Sequence, residues 1–168
     1  MHELVIEETT LAGLSLIRPP TIFEDYRGLY IESYNKKIYA IKPLTFMNNS
    51  GICIRELIEY FKIDPEDVIV FHDDLDINFG KIKTKFGGSS AGHNGIESID
   101  KFIGKDYARV RIGIGKPNGK INTADHVLKD FDEEEKLELK NITSNITDSL
   151  TILLDKKLEL FSSTVNNK

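Results

Sequence analysis

A chain of 168 residues with a formal charge of −5, 40% hydrophobic and 29% charged residues has the length and balance of one globular domain with its own core. Its single cysteine, Cys53, excludes an internal disulfide and a cysteine-built zinc site, and suits a reducing compartment. No apolar run approaches the ~20 residues of a membrane span, and the start Met-His-Glu-Leu-Val-Ile-Glu-Glu lacks the basic and apolar regions of a signal peptide, so the cytoplasm is the expected compartment.

Residues 1–25 show no clean period. Leu4, Val5 and Ile6 and the stretch 11–17 are apolar, and Arg18-Pro19-Pro20 is a break, because the residue before a proline avoids helix. Residues 29–33 and 37–41 read as two strands around a turn at Asn35-Lys36. The run Ile38, Tyr39, Ala40, Ile41 has the pattern of a strand buried in a parallel sheet. A loop over 42–51 leads into a helix whose apolar face is Ile54, Leu57, Ile58 and Phe61. Asn48, Asn49 or Ser50 can cap that helix, which is the plain reading of Asn48. Asp64-Pro65 then turns the chain into 68–71, Val-Ile-Val-Phe, a second buried run. Strand, helix and strand in this order predict a βαβ unit with a right-handed crossover.

Ligands of open α/β sheets bind beyond the C-terminal ends of the strands. His72, Asp73, Asp74 and Asp76 stand at that place. Asp73 reads as a site residue and His72 as structural, whereas Asp74 and Asp76 divide between site and turn chemistry. Residues 81–86 alternate, with Lys81, Lys83 and Lys85 on one face and Ile82, Thr84 and Phe86 on the other. The next segment, Gly87-Gly-Ser-Ser-Ala-Gly-His-Asn-Gly95, is either a loop whose N–H groups reach an anion or a flexible connection. It lacks the Gly-Lys-Ser/Thr that closes a P-loop.

Ile96, Ile99, Phe102 and Ile103 predict a helix, and 107–114 alternates again with Arg109 and Arg111 on one face. If this strand neighbours 81–86, Lys85 and Arg111 meet around one phosphate. Gly113-Ile-Gly115 ends a strand without opening a helix, so a dinucleotide fingerprint fails. Residues 81–120 hold nine basic and three acidic side chains inside an acidic chain. That is the footprint of a focused phosphate partner, or, more plainly, a solvated lysine face. Asp132 to Glu135 suit a helix N-terminus. Ile142, Ile146, Leu150, Leu153 and Leu154 give one apolar face of a C-terminal helix, followed by a short helical piece around 158–161.

Three stretches together resemble the bacterial-type peptidyl-tRNA hydrolase family: Lys42-Pro-Leu-Thr-Phe-Met-Asn-Asn-Ser-Gly51, Val70-Phe-His-Asp-Asp-Leu-Asp76 and the 87–95 segment. Arg109-Val-Arg-Ile-Gly-Ile-Gly-Lys-Pro117 and Asp125-His-Val-Leu128 continue the match in order, over about residues 22–165. The resemblance implies one α/β domain over 1–168, with a twisted, mixed, largely parallel central sheet flanked by helices. It implies cleavage of the ester between peptide and tRNA, with no metal or other cofactor, by a cytoplasmic monomer whose partner is peptidyl-tRNA. Asp73 then orients a general-base histidine, Asn48 and Asn94 bind the substrate, Phe46 walls the peptide channel, and Lys85 and Arg111 clamp a tRNA phosphate. His93 is implied to be structural or substrate-contacting.

The family opens with a strand, a Gly-Asn-Pro-Gly turn and a Thr-Arg-His-Asn segment carrying the base. No such run occurs in residues 1–25, and His2 stands in a different context. The base histidine is therefore not found in this chain, and the family's first strand is expected to be lacking. The alternative expectation is a shortened relative that binds tRNA without hydrolysing it.

Overall fold

The computed structural model describes residues 5–8, 14–18, 26–33, 36–43, 45–117 and 122–168. They belong to two compact units, Met1–Phe61 with Asn94–Ile103, and Lys62–His93 with Gly104–Lys168. The α/β class and the mixed sheet are as the sequence predicts.

The first unit carries four strands, β1 (Val5–Glu8), β2 (Leu14–Arg18), β3 (Tyr26–Ser33) and β4 (Lys36–Pro43), in an antiparallel sheet of that order. β1 and β2 fall where the sequence shows no clean period. The expected loss of the family's opening strand concerns residues 1–25, of which only 5–8 and 14–18 are described, and His2 lies outside the described residues. The two strands predicted on either side of the Asn35-Lys36 turn do pair as a hairpin, with Tyr26 opposite Pro43 and Ser33 opposite Lys36, so Lys36 belongs to β4, while Asn35 lies outside the described residues.

That hairpin overturns the parallel reading of 38–41. A connection this short can only return the chain antiparallel, so β4 pairs with β3 and not with the strand that follows the helix. The apolar run does form a strand, but such a run carries no information about direction.

Two helices complete the unit, α1 (Ser50–Phe61) and α2 (Asn94–Ile103). A 3-10 turn at Met47–Asn49 leads into α1, where Ser50 Oγ donates to Met47 O at 2.9 Å. Phe61 stacks on Tyr39 of β4 at 4.1 Å between ring centres. Cys53 and Ile58 of α1 and Ile96 and Ile99 of α2 are buried. The helices meet backbone to backbone at Gly51, whose N–H donates to Ser98 Oγ at 3.0 Å. A Cβ at Gly51 would collide with the Ser98 carbonyl and the Phe102 ring, so a side chain at this crossing is excluded.

The second unit is built on β5 (Ile69–Asp74), β6 (Ile82–Phe86) and β7 (Ala108–Gly113), in the order β5-β7-β6. β5 and β7 are parallel, and β6 and β7 antiparallel. The pair β5–β7 is the only parallel one among the described residues, so antiparallel pairing predominates where a largely parallel sheet was expected. α3 (Thr123–Leu128), α4 (Glu133–Asp148), α5 (Leu150–Leu154) and α6 (Leu158–Asn166) follow. Ile142, Leu153, Phe161 and Val165 from the helices close a core over Ile82 and Val110.

Asp132 opens α4 with a reciprocal box: its carboxylate accepts from Glu135 N, and Glu135 accepts from Asp132 N. The single amphipathic helix predicted over 142–154 is interrupted at Ser149, yet Ile142 and Ile146 before the break and Leu150 and Leu153 after it stay on the core.

β6 is an edge strand, and α6 covers its open side. The Asn166 side chain accepts from Ile82 N at 2.9 Å and donates to Ile82 O at 2.7 Å, replacing a missing strand partner. Thr84 Oγ1 adds a bond to Leu158 O at 2.8 Å. Ile82 is only 1% exposed, so its peptide groups have little access to water. Asn166→Ala is expected to cost about 1–3 kcal/mol through these unpaired groups. Urea denaturation should show a lower midpoint at unchanged slope; an unshifted midpoint would mean that water takes the amide's place.

Candidate functional site

β5 ends in two carboxylates, which as consecutive strand residues point in opposite directions. They take different partners. Asp73 Oδ1 accepts a hydrogen bond from His93 Nε2 at 3.0 Å. Asp74 Oδ2 accepts from Arg111 Nε at 2.7 Å, and its Oδ1 accepts from Asp76 N at 2.9 Å. Asp74 thus makes the turn contact that was one of its two readings, and it adds an ion pair with Arg111 that the sequence does not indicate. Asp76 forms an exposed pair with Lys116 at 2.8 Å, a type of contact that contributes little to stability.

The hydrogen bond from His93 is the largest influence on Asp73 and holds its carboxyl below the usual range, against the opposing effect of burial. The group is an ionised acceptor at neutral pH. His72 Nδ1 lies 2.7 Å from the Asp73 carbonyl, which can only accept, so Nδ1 carries the proton. Burial pushes the His72 pKa down, and its Nε2 is buried with no hydrogen-bond partner. Its ring stands edge-on to His93 at 5.0 Å. His72 therefore packs as a neutral ring beside the Asp73–His93 pair, consistent with a structural role.

The glycine segment that brings His93 to Asp73 is held from beneath by Arg109. This arginine is 1% exposed. Its guanidinium lies 4.7 Å above the Tyr107 ring and donates to Ser89 O at 2.9 Å and Gly88 O at 3.1 Å. Gly87 N donates to Tyr107 O, and His93 N closes a turn onto Ser90 O, each at 3.0 Å. Gly88 has φ +96°, and a Cβ there would occupy the place of the Lys85 amine. The positive φ is what favours glycine here, since the end of the Lys85 side chain can move aside. The sequence reading placed Arg109 on the face shared with Arg111 but missed this anchoring role. The available signal was an aromatic two residues before an arginine, near a Gly-Gly pair that offers carbonyls.

The strand register sets the basic groups. Lys83 stands opposite Arg111 and Lys85 opposite Arg109. Lys85 and Arg111 are therefore diagonal neighbours on one face, within reach of long side chains. The predicted shared face is present, although the directly opposed partner of Arg111 is Lys83.

In the first unit, Phe46, 83% exposed, and Asn48 occupy the lead-in to α1, and Asn94 is the first residue of α2. The 3-10 turn packs against α2, and the Gly51–Ser98 crossing fixes the start of α1 against the middle of α2. All three side chains are exposed. Among the described residues, no group of three or more His, Cys, Asp or Glu side chains is placed to hold a metal ion, and no helix is long and apolar enough to cross a membrane.

A family model described as peptidyl-tRNA hydrolase matches residues 17–168. The peptidyl-tRNA hydrolase of Pelagibacter ubique (strain HTCC1062) is 80% identical over 134 residues, covering 80% of this chain and 72% of that protein. The protein of the same name from Aliarcobacter butzleri (strain RM4018) is 52% identical over 112 residues, covering 67% of this chain and 61% of that protein. Among solved structures, a mutant of peptidyl-tRNA hydrolase from Acinetobacter baumannii superposes with a TM-score of 0.81 at 28% identity, over 92% of this chain and 78% of its own.

Proposed function

Because the chain belongs to the peptidyl-tRNA hydrolase family, we propose that its residues carry out that hydrolysis as follows, returning tRNA from stalled or aborted translation. Asp73 is the carboxylate that orients the general-base imidazole and stabilises its charged form; that base is not identified among the described residues, and His93, the ring bound to Asp73 here, keeps a structural or substrate-contacting role. The base takes a proton from water as the water oxygen attacks the ester carbonyl. The carboxamides of Asn48 and Asn94 donate to the oxygen on which charge develops. Collapse breaks the bond to the ribose oxygen, which receives the proton, leaving a peptide carboxylate and tRNA. Phe46 walls the peptide, and Lys85 and Arg111 grip a phosphate of the tRNA. The working unit is a cytoplasmic monomer of one domain.

The observation that carries this reading is the ionised Asp73 bound to a ring nitrogen at the end of β5.

Hydrolysis of an N-acetylated aminoacyl-tRNA in ¹⁸O-water tests the reaction class. Attack by water on the carbonyl puts one label in the released N-acetyl amino acid and none in the ribose. Label in the ribose, or transfer of the acyl group to an added amine in place of water, would overturn it.

A further inference from the structure

The geometry points to Asp74 as a positioning residue for RNA binding: it holds Arg111 by Nε so that the outer edge of the guanidinium is presented to a phosphate. This rests on the phosphate role given to Arg111 above. A carboxylate beside a phosphate site is at first sight unfavourable, since it repels the ligand and neutralises the arginine. Two features argue that it is a holder. Asp74 is 8% exposed and Arg111 25%, so the pair is fixed at its inner end and open at its outer one. The remaining Asp74 oxygen is occupied by Asp76 N–H, so the carboxylate cannot turn away with its partner.

Arginine offers five N–H donors in a rigid fork. One of them, on Nε, is committed to Asp74. The two terminal nitrogens remain to grip a phosphate by parallel bonds. A free arginine side chain loses rotamer entropy when it binds, and a pre-held one has already lost it. The register supports the same arrangement, since Lys83 lies across from Arg111 and Lys85 one step along the same face.

The two roles of Asp74 predict opposite signs. As a mere neutraliser, its replacement by Asn would tighten tRNA binding and steepen the dependence of log K on log salt by about one charge. As a holder, Asp74→Asn weakens binding several-fold, and the double variant with Arg111→Ala binds no worse than Arg111→Ala alone. Arg111→Lys keeps the charge but loses the fork, and is expected to bind close to Arg111→Ala. In hydrolysis, Asp74→Asn raises KM at unchanged kcat.

The experiment is a salt titration of deacylated tRNA binding to the full chain and these variants, each checked for a wild-type circular dichroism spectrum. Tighter binding by Asp74→Asn, additive losses in the double variant, or full affinity of Arg111→Lys would each overturn the holder role. Wild-type affinity and salt slope in Arg111→Ala would instead show that the phosphate reading of Arg111 itself fails.

Discussion

Asp73→Asn is expected to lower hydrolysis of an N-blocked aminoacyl-tRNA by about 10²–10⁴-fold, the usual contribution of positioned acid–base catalysis. Its tRNA affinity should stay near that of the parent. The substitution is almost isosteric, so packing at the end of β5 is kept. What is lost is the charge that stabilises a protonated imidazole and an acceptor that can only accept. An amide can turn its NH₂ toward the ring and select the wrong tautomer.

The lowered pKa of Asp73 gives a second signature. A carboxyl with a depressed folded pKa stabilises the fold above its unfolded pKa, and that stability is lost as pH falls through the folded value. The parent should therefore lose stability on acidification more steeply than Asp73→Asn, which has no such group to protonate. Equal losses of turnover and tRNA affinity would mark Asp73 as structural.

Arg109→Met should strongly destabilise the second unit. Methionine keeps the approximate length and the packing on Tyr107, but removes both donors to Gly88 O and Ser89 O. Hydrogen bonds from charged groups are worth ~1.5–3 kcal/mol, and a desolvated cation over an aromatic face adds up to ~2 kcal/mol. A loss of about 3 kcal/mol is expected in urea unfolding, with partial rehydration of the two carbonyls offsetting the remainder. Amide hydrogen exchange over residues 87–93 should accelerate by more than the global change explains, since this segment loses its anchor directly. Turnover should fall with it, because His93 depends on the same segment to reach Asp73. A protein as stable as the parent, with unchanged exchange over 87–93, would show that the segment holds its shape without the arginine.

The legible parts of the fold were those written in local chemistry. The alternation of Ile82, Thr84 and Phe86 with three lysines predicts β6, and the acids from Asp132 onward predict the start of α4. Both are observed. Direction and partnership were less legible. Ile38 to Ile41 reads as a strand in either orientation, and only the length of the preceding turn settles it. The break at Ser149 leaves the apolar face intact, so periodicity cannot reveal it.

The candidate site divides in the same way. Its place at a strand end singles out Asp73, and strand alternation puts Lys85 and Arg111 forward as a pair, whereas Asn94 rests on the family resemblance. The partners are set by tertiary contacts between distant residues. Asp73 with His93 spans 20 positions and Asp74 with Arg111 spans 37, and neither spacing is periodic in sequence. Arg109 is the clearest case. Its alternation with Val110 places it on the face of Arg111, but only the fold decides that one is buried under a loop and the other open at its outer end.

The most direct measurement is a time course of N-acetyl amino acid release from N-acetylated aminoacyl-tRNA in excess over the purified 168-residue chain, with tRNA binding measured on the same preparation. A hydrolase that uses Asp73 releases many equivalents of product per protein, at a rate that Asp73→Asn reduces without changing the tRNA dissociation constant. Folded protein that binds tRNA saturably while the ester decays only at the buffer rate would contradict hydrolysis by this chain and leave a tRNA-binding relative in its place.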